Sequence, residues 1–229
     1  MSIQSIHLDQ ARLYRWGGVA GIAGIVVLVV SLPLAPPWPP ASAETAAVVS
    51  YFSQHRAAFL AQAWVASAGA VLLVPFAAAL AGLMRLRDRL HAGWTLFGAM
   101  LIFVGAFAIN WIPWIEIAFR PDRPRPIIQA LYDFGMLGQF VGVGMPLALF
   151  FGAAAAGTLD GAVLPRWIGW LAAALVPLNV LLAGCTSLTG VLAPSGPIGF
   201  ASIGFFTVFV LACSIAMIRR GRVLFRAAR

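Results

Sequence analysis

Six long apolar tracts constrain what this chain can fold into. A helix that crosses the roughly 30 Å apolar core of a bilayer needs about 20 apolar residues, because its backbone polar groups must pair within the segment. Six tracts reach that length: 17–35, 57–84, 92–119, 127–159, 167–188 and 198–218. Since 62% of the residues are hydrophobic and 10% are charged, we expect an all-α polytopic membrane protein, with residues 1–229 as a single six-helix transmembrane domain.

The first tract has a second interpretation, as the apolar core of a cleaved signal peptide. Arg12 and Arg15 precede it, and the sequence ASA at 41–43 resembles a cleavage site. The tract is longer than the usual core of about 7 to 15 residues, and four prolines between 36 and 40 separate it from those alanines. We therefore interpret 17–35 as the first span.

The arginines predict how the spans are oriented. Lys+Arg number 15, and all of them are arginine. Cytoplasmic loops carry the excess of basic residues. If both termini are cytoplasmic, the inner set is Arg12, Arg15, Arg85, Arg87, Arg89, Arg166, Arg219, Arg220, Arg222, Arg226 and Arg229, and the outer set is Arg56, Arg120, Arg123 and Arg125. We expect a bacterial inner-membrane protein with both termini inside, whose net charge of +8 faces membrane lipids rather than nucleic acid.

Several classes of chemistry lack the residues that they need. Without lysine there is no amine for a Schiff base with retinal or pyridoxal phosphate. Cys185 and Cys213 lie in different tracts and form no CxxC pair, so we expect no thiol–disulfide catalysis. The three histidines lie outside or at the edges of the tracts, without a second ligand at helical spacing. The sequence therefore predicts no cofactor and no metal site.

The segment between the first two spans predicts a short amphipathic helix at the outer face. It begins with PPWPP at 36–40 and continues with Val48, Phe52 and Phe59, which can share one apolar face. This helix has two interpretations, a lid over a site or a juxtamembrane segment leading into span two. We favour the juxtamembrane segment.

Prolines and glycines predict bends and close packing. Each proline inside a span removes one helix hydrogen bond, and inward bends can open a cavity. The four are Pro75, Pro113, Pro146 and Pro177. Gly138 and Gly142 have the small-xxx-small spacing of close helix contacts.

Two carboxylates inside the spans are the strongest functional candidates. Glu116 lies near the outer end of span three and Asp133 near that of span four, and the two spans are antiparallel with a short connection. A charge at the bilayer centre costs about 2.5–3.5 kcal/mol on insertion scales, so such acids are functional by default. Arg120 follows Glu116 at i+4 and can neutralise it. Asp133 has no such partner, and we expect it to lie in a pocket shielded from water.

Other polar and aromatic side chains accompany these acids. We expect them to line a continuous polar funnel that opens outward and binds a substrate. Besides Arg120, they are Trp64, Asn110, Trp111, Trp114, Gln129, Tyr132, Gln139 and Asn179. For the tryptophans, the alternative is an ordinary aromatic belt at the membrane interface.

A carboxyl group among aromatic rings suits acid catalysis on a lipophilic molecule. Shielding from water keeps a carboxyl protonated near neutral pH, and aromatic faces stabilise cationic intermediates. These groups predict a cofactor-independent isomerase or cyclase in which Asp133 and Glu116 are catalytic. The same groups would serve a proton-coupled transporter of lipophilic cations. A structural or accessory membrane protein without a ligand is the third hypothesis. The expected partners are membrane lipids, a small lipophilic ligand and, in a homo-oligomer, further copies of this chain.

Two sets of motifs resemble known families. The alanine-rich second span AWVASAGAVLLVPFAAALAGLMR at 63–85 and the LPRWIGWL motif at 164–171 resemble an uncharacterised family of six-span bacterial integral membrane proteins. This resemblance implies the six-span fold and no particular activity. NWIPWIE at 110–116 resembles the Asn, Trp and Glu cluster of small integral-membrane terpene cyclases. That resemblance implies an isoprenoid substrate, with Glu116 and Asp133 as acids.

Overall fold

The computed structural model describes residues 3–227, with side chains from residue 10 to residue 226. A short 3-10 helix, Leu32–Leu34, follows the first of its α-helices. The α-helices are α1 (Ile3–Ser31), α2 (Thr45–Gln54), α3 (Arg56–Arg85), α4 (Leu90–Ile109), α5 (Ile112–Phe119), α6 (Arg125–Thr158), α7 (Arg166–Ala183) and α8 (Pro197–Ala227).

The all-α polytopic fold is confirmed. Among the described residues, six helical segments are long and apolar enough to cross a membrane. They are Gln10–Leu34, Arg56–Arg85, Leu90–Phe119, Arg125–Thr158, Arg166–Ala183 and Pro197–Arg226. Span five is shorter than predicted, because α7 ends at Ala183, and α8 continues well beyond the predicted boundary at 218.

The six spans form a closed ring in chain order. Each of α1, α3, α4, α6, α7 and α8 packs against the next, and α8 returns to α1. The core lies inside this ring, where α6 is the most deeply buried span. Because the number of spans is even, the start of α1 and the end of α8 lie at the same end of the bundle, which we call the predicted cytoplasmic end.

Glycines let α1 approach two neighbours at different heights. A Cβ on Gly21 would collide with Ser214 of α8, and one on Gly24 would lie 2.6 Å from the Leu73 side chain of α3. Further along α1, Leu28 packs against Gly69, again on α3. Gly17, nearer the predicted cytoplasmic end, also meets both Ala79 of α3 and Met217 of α8, so α1 packs closely on both neighbours. We call the opposite end of the bundle the predicted outer end.

Span three is interrupted in the middle of the NWIPWIE sequence. Helix α4 ends at Ile109 and α5 begins at Ile112, with Asn110 and Trp111 forming a turn between them. Pro113 explains the interruption, since it has no backbone N–H to continue the helical ladder. The other three prolines, Pro75, Pro146 and Pro177, lie inside continuous helices.

The predicted short helix between spans one and two is α2, which packs on the predicted outer end of the bundle. Its buried face carries Val48, Tyr51 and Phe52. The ring of Phe52 contacts that of Phe59 edge-on, with centroids 4.8 Å apart. The helix touches α3, α5 and α6, so it is an integral part of the bundle.

Candidate functional site

The segment that enters α2 folds back over the bundle. We call residues 35–44 the Trp38 loop; they form no regular helix or strand. Trp38 is half-buried, and its Nε1 donates a hydrogen bond to Oε1 of Gln62 over 3.0 Å. The Gln62 amide in turn donates to the Leu32 carbonyl over 3.3 Å. The four prolines around Trp38 supply no N–H for a helical ladder, and the carbonyls of two of them accept side-chain donors.

Two tyrosines use those carbonyls. The Tyr51 hydroxyl donates to the Pro36 carbonyl over 2.7 Å, and the Tyr132 hydroxyl donates to that of Pro39. Burial raises the pKa of Tyr51 to about 12, so this hydroxyl remains a donor at neutral pH. One tyrosine comes from α2 and the other from α6, and together they hold the loop on both sides of Trp38.

Beneath the loop, Trp38 joins an aromatic cluster. Its ring centroid lies 5.6 Å from that of Trp111 and 5.0 Å from that of Trp114. Trp114 stacks on Tyr132 at 5.8 Å, and its Nε1 donates to the Tyr132 carbonyl over 3.0 Å. Gly135 lies directly against the Trp114 indole, where a Cβ would collide with the ring. This cluster closes the predicted outer end of the ring of spans.

Below the cluster is a cavity of about 120 Å³. Its walls are mainly Leu, Val and Phe side chains from α1, α4, α6 and α8, with Trp38 above them. The polar residues along it are Ser31, Gln62, Gln139, Ser202 and Thr207. Among the described residues that line it, none carries a charge. The described walls of the cavity are therefore uncharged and mostly apolar.

One side of the cavity reaches the surface of the bundle. Val29 and Leu32 from span one line it together with Ile203 of α8, and these side chains are 47%, 59% and 43% exposed. They mark the seam between α1 and α8 near the predicted outer end. The cavity is therefore open on the side of the bundle that would face the apolar core of a bilayer.

The Trp111 indole stands out among the cavity walls. Its side chain is 2% exposed, and its ring contacts Trp38, Trp114 and Phe107. Its Nε1 has no hydrogen-bond acceptor among the described residues. Two other polar side chains in the cavity wall do form hydrogen bonds. Ser202 donates to Oδ1 of Asn179 over 2.7 Å, and Gln139 donates to the Phe107 carbonyl at 3.5 Å.

Asp133 lies apart from the cavity. Nε2 of Gln129 donates to its Oδ1 over 2.8 Å, and Oγ1 of Thr45 in α2 donates to Oε1 of Gln129 over 2.8 Å. The carboxylate thus ends a polar chain that attaches α2 to α6. The Asp133 side chain is half-buried, and its location in a pocket shielded from water stays a prediction.

Glu116 forms an ion-pair cluster with the outer loop. Its Oε1 lies 2.6 Å from Nη2 of Arg123 and 4.0 Å from Nε of Arg120. The sequence named Arg120 as the partner of Glu116, but in the structure Arg123 makes the close contact and Arg120 lies at the limit of an ion pair. Glu116 does not line the cavity either.

The predicted site residues therefore fall into separate places rather than one funnel. Trp111 and Gln139 line the cavity, and Asn179 reaches it through Ser202. Trp114 and Tyr132 belong to the aromatic cluster above it. Trp64 is 75% exposed on the outside of the bundle, and Asn110 packs against Gly138 without lining the cavity.

Three residues that matter here were absent from the sequence-based candidates: Trp38, Gln62 and Ser202. Gln62 and Ser202 are polar residues inside apolar tracts, so a survey of every hydroxyl and amide in the spans would have included them. Trp38, between two pairs of prolines, gives a weaker signal, since nothing in PPWPP shows that the loop folds inward.

Comparisons with known proteins give no further identification. No protein-family model matches the chain, and neither a curated protein nor a solved structure matches it. Among the described residues, no three His, Cys, Asp or Glu side chains lie close enough together to hold a metal ion.

Proposed function

We propose that this protein binds a small, neutral, lipophilic molecule carrying a hydrogen-bond acceptor, in the cavity beneath Trp38. The observation that carries this proposal concerns Trp111, which lines the cavity. Its buried Nε1–H has no hydrogen-bond acceptor among the described residues. Leaving a buried donor unpaired costs about 1–3 kcal/mol. A ligand oxygen within reach of this N–H would recover that free energy.

The size of the cavity sets the size of the ligand. An apolar cavity of about 150 Å³ is enough to bind benzene, and this one measures about 120 Å³. A six-membered ring with one oxygen substituent is larger than benzene, so it would fill this smaller cavity and reach into its open side between Val29 and Ile203. Longer molecules would extend through the seam between Val29 and Ile203 into the bilayer.

The absence of charge from the described cavity walls favours a neutral ligand over a lipophilic cation. A cation would leave water without a counter-ion, at a cost of several kcal/mol. The predicted isomerase or cyclase, and the predicted proton-coupled transporter, both need Asp133 or Glu116 within reach of the ligand. Those two functions stay predictions, and binding is the function that the cavity supports best.

A matched pair of probes tests the proposal. Cyclohexanone and methylenecyclohexane have nearly the same shape, but only the ketone accepts a hydrogen bond. With ¹⁵N-tryptophan protein in detergent micelles, we expect cyclohexanone to shift the Trp111 indole N–H resonance downfield in a saturable manner. Methylenecyclohexane should fill the cavity with lower affinity and without that downfield shift.

Two variants complete the experiment. Trp111→Phe keeps the aromatic ring but removes the donor, so we expect the affinity for cyclohexanone to fall about 2- to 10-fold, as for one neutral hydrogen bond. Trp64→Phe changes a tryptophan on the outside of the bundle and should leave the affinity unchanged. Equal affinity of Trp111→Phe and the wild-type protein for the ketone would refute the proposed site.

A further inference from the structure

A second groove lies at the predicted cytoplasmic end, between the start of α1 and the end of α8. It has a volume of about 460 Å³. Four arginines line it, Arg12 and Arg15 from α1 and Arg222 and Arg226 from α8. Trp16, Val19 and Phe225 supply apolar and aromatic surface beside them.

Helical spacing explains why so much positive charge meets here. Arg12, Arg15 and Trp16 fall three or four residues apart on one face of α1, and Arg222, Phe225 and Arg226 do so on α8. Gly221 brings the two faces together, since a Cβ there would lie 3.0 Å from the Ala11 carbonyl oxygen. The side chains of all four arginines are exposed at the groove.

We propose that this groove binds the head group of an anionic phospholipid. Guanidinium groups pair bidentately with phosphate oxygens, and basic grooves between spans at the cytoplasmic face suit anionic head groups. Trp16 is 70% exposed, as expected of a tryptophan at head-group level. Val19, one turn further into the span, offers apolar surface to an acyl chain.

The neighbouring groove between α3 and α4 is a useful contrast. It is lined by Leu90, Trp94 and Phe97, and Arg85 is the one arginine among the described residues that line it. Both grooves offer aromatic surface at the same end of the bundle. The clustering of four arginines distinguishes the groove between α1 and α8, which is why we assign the anionic lipid there.

Native mass spectrometry of the full chain, delipidated in an uncharged detergent, tests the assignment. The probes are phosphatidylglycerol, phosphatidylcholine with the same acyl chains, and inorganic phosphate. We expect one phosphatidylglycerol molecule to be retained in preference to phosphatidylcholine. Arg15→Gln with Arg222→Gln should lower its affinity about 30-fold, since each arginine near an anionic surface contributes about a 5-fold effect.

Arg87→Gln with Arg219→Gln is the matched control, because it removes the same charge from exposed positions at the same end that do not line the groove. It should retain the wild-type affinity. Should the groove double variant not remain monodisperse, each single variant supplies the same comparison at about 5-fold.

Three results would overturn the assignment. Equal binding of the two lipids would show that charge is not recognised. An equal loss in the control would indicate a general basic belt instead of a site. Displacement of phosphatidylglycerol by inorganic phosphate at equal concentration would identify free phosphate as the ligand. Binding of cyclohexanone, measured in parallel, should be unchanged by all these variants, because the two sites lie at opposite ends of the bundle.

Discussion

Trp38 and Gln62 are joined by a hydrogen bond of 3.0 Å from the indole Nε1 to the amide Oε1. Gln62 is 4% exposed and also donates to the Leu32 carbonyl. One glutamine in α3 thus fixes both the end of span one and the loop that covers the cavity. Replacing it should release the loop while leaving the spans themselves intact.

Gln62→Leu should destabilise the protein by about 1–3 kcal/mol, because it removes the acceptor of the half-buried Trp38 N–H and the donor to the Leu32 carbonyl. Chemical unfolding monitored by fluorescence would measure this change. In the Trp38→Phe background, which has no donor at this position, the same substitution should cost less. We expect a coupling free energy of about 1 kcal/mol from this double-mutant cycle. Strict additivity of the two changes would contradict the hydrogen bond.

The Tyr51 bond to the Pro36 carbonyl predicts a dependence of stability on alkaline pH. Burial raises the pKa of Tyr51 from 10.0 to about 12 in the folded protein. The folded state therefore holds the phenolic proton more tightly than the unfolded state does. Its contribution is fully present below about pH 10 and is lost as the pH rises toward about pH 12.

Unfolding measured at several pH values from 9 to 12 would test this. We expect the free energy of unfolding to fall across pH 10–12, and less steeply in Tyr51→Phe. The chain has no lysine, so no amine side chain titrates in this range and obscures the effect. An unchanged slope in Tyr51→Phe would contradict a buried, hydrogen-bonded hydroxyl.

Two glycines of α6, only two residues apart, should differ in how much stability the protein loses when each is replaced by alanine. A Cβ on Gly144 would lie 2.6 Å from the Ala183 backbone nitrogen and 2.8 Å from the Asn179 carbonyl oxygen, so Gly144→Ala should push α6 away from α7. We expect a loss of about 1–3 kcal/mol, as for overpacking. On Gly142 the nearest atom would be 3.7 Å away, so Gly142→Ala should be tolerated. Thermal unfolding of the two variants in one detergent gives the comparison.

Gly138 and Gly142 illustrate what the sequence could predict. Their spacing predicts a shared close contact, and in the structure both face the Asn110 side chain. A Cβ on Gly138 would collide with that side chain, whereas a Cβ on Gly142 would lie in ordinary contact, 3.7 Å from its Nδ2. Spacing identifies which residues share a helix face, but only the partner helix decides which of them is pressed against another chain segment.

The spans were predictable because the bilayer imposes a single length and polarity on every one of them. The cavity was not, because it depends on how the Trp38 loop folds back. That fold depends on pairs distant in sequence, such as Tyr132 with Pro39 and Trp38 with Gln62. The sequence indicated the two carboxylates as candidates because inserting a charged side chain into a membrane costs free energy. In the structure, Asp133 accepts a hydrogen bond from Gln129, and Glu116 forms an ion pair with Arg123. Both acids lie near the predicted outer end of the bundle.

A substitution at Asp133 therefore distinguishes the predicted acid catalysis from the proposed ligand binding. Asp133→Asn keeps an oxygen that can accept the hydrogen bond from Gln129, and the half-buried side chain loses only its charge. We expect stability to change by no more than about 0.5 kcal/mol and cyclohexanone affinity to stay at the wild-type value. Glu116→Gln should cost about 0–1 kcal/mol, because its pair with Arg123 is partly exposed.

The acid-catalysis hypothesis predicts a different result for the same substitution. If Asp133 delivered a proton to the ligand, Asp133→Asn would abolish turnover of a lipophilic olefin or epoxide while leaving the fold intact, and Glu116→Gln would do less. Ketone binding and olefin turnover should therefore be measured together on both variants. Unchanged binding without any turnover in the wild-type protein would support a binding site. A loss of ketone affinity in Asp133→Asn would show instead that the carboxylate acts on the cavity, because the Gln129 bond that the substitution preserves cannot account for such a loss.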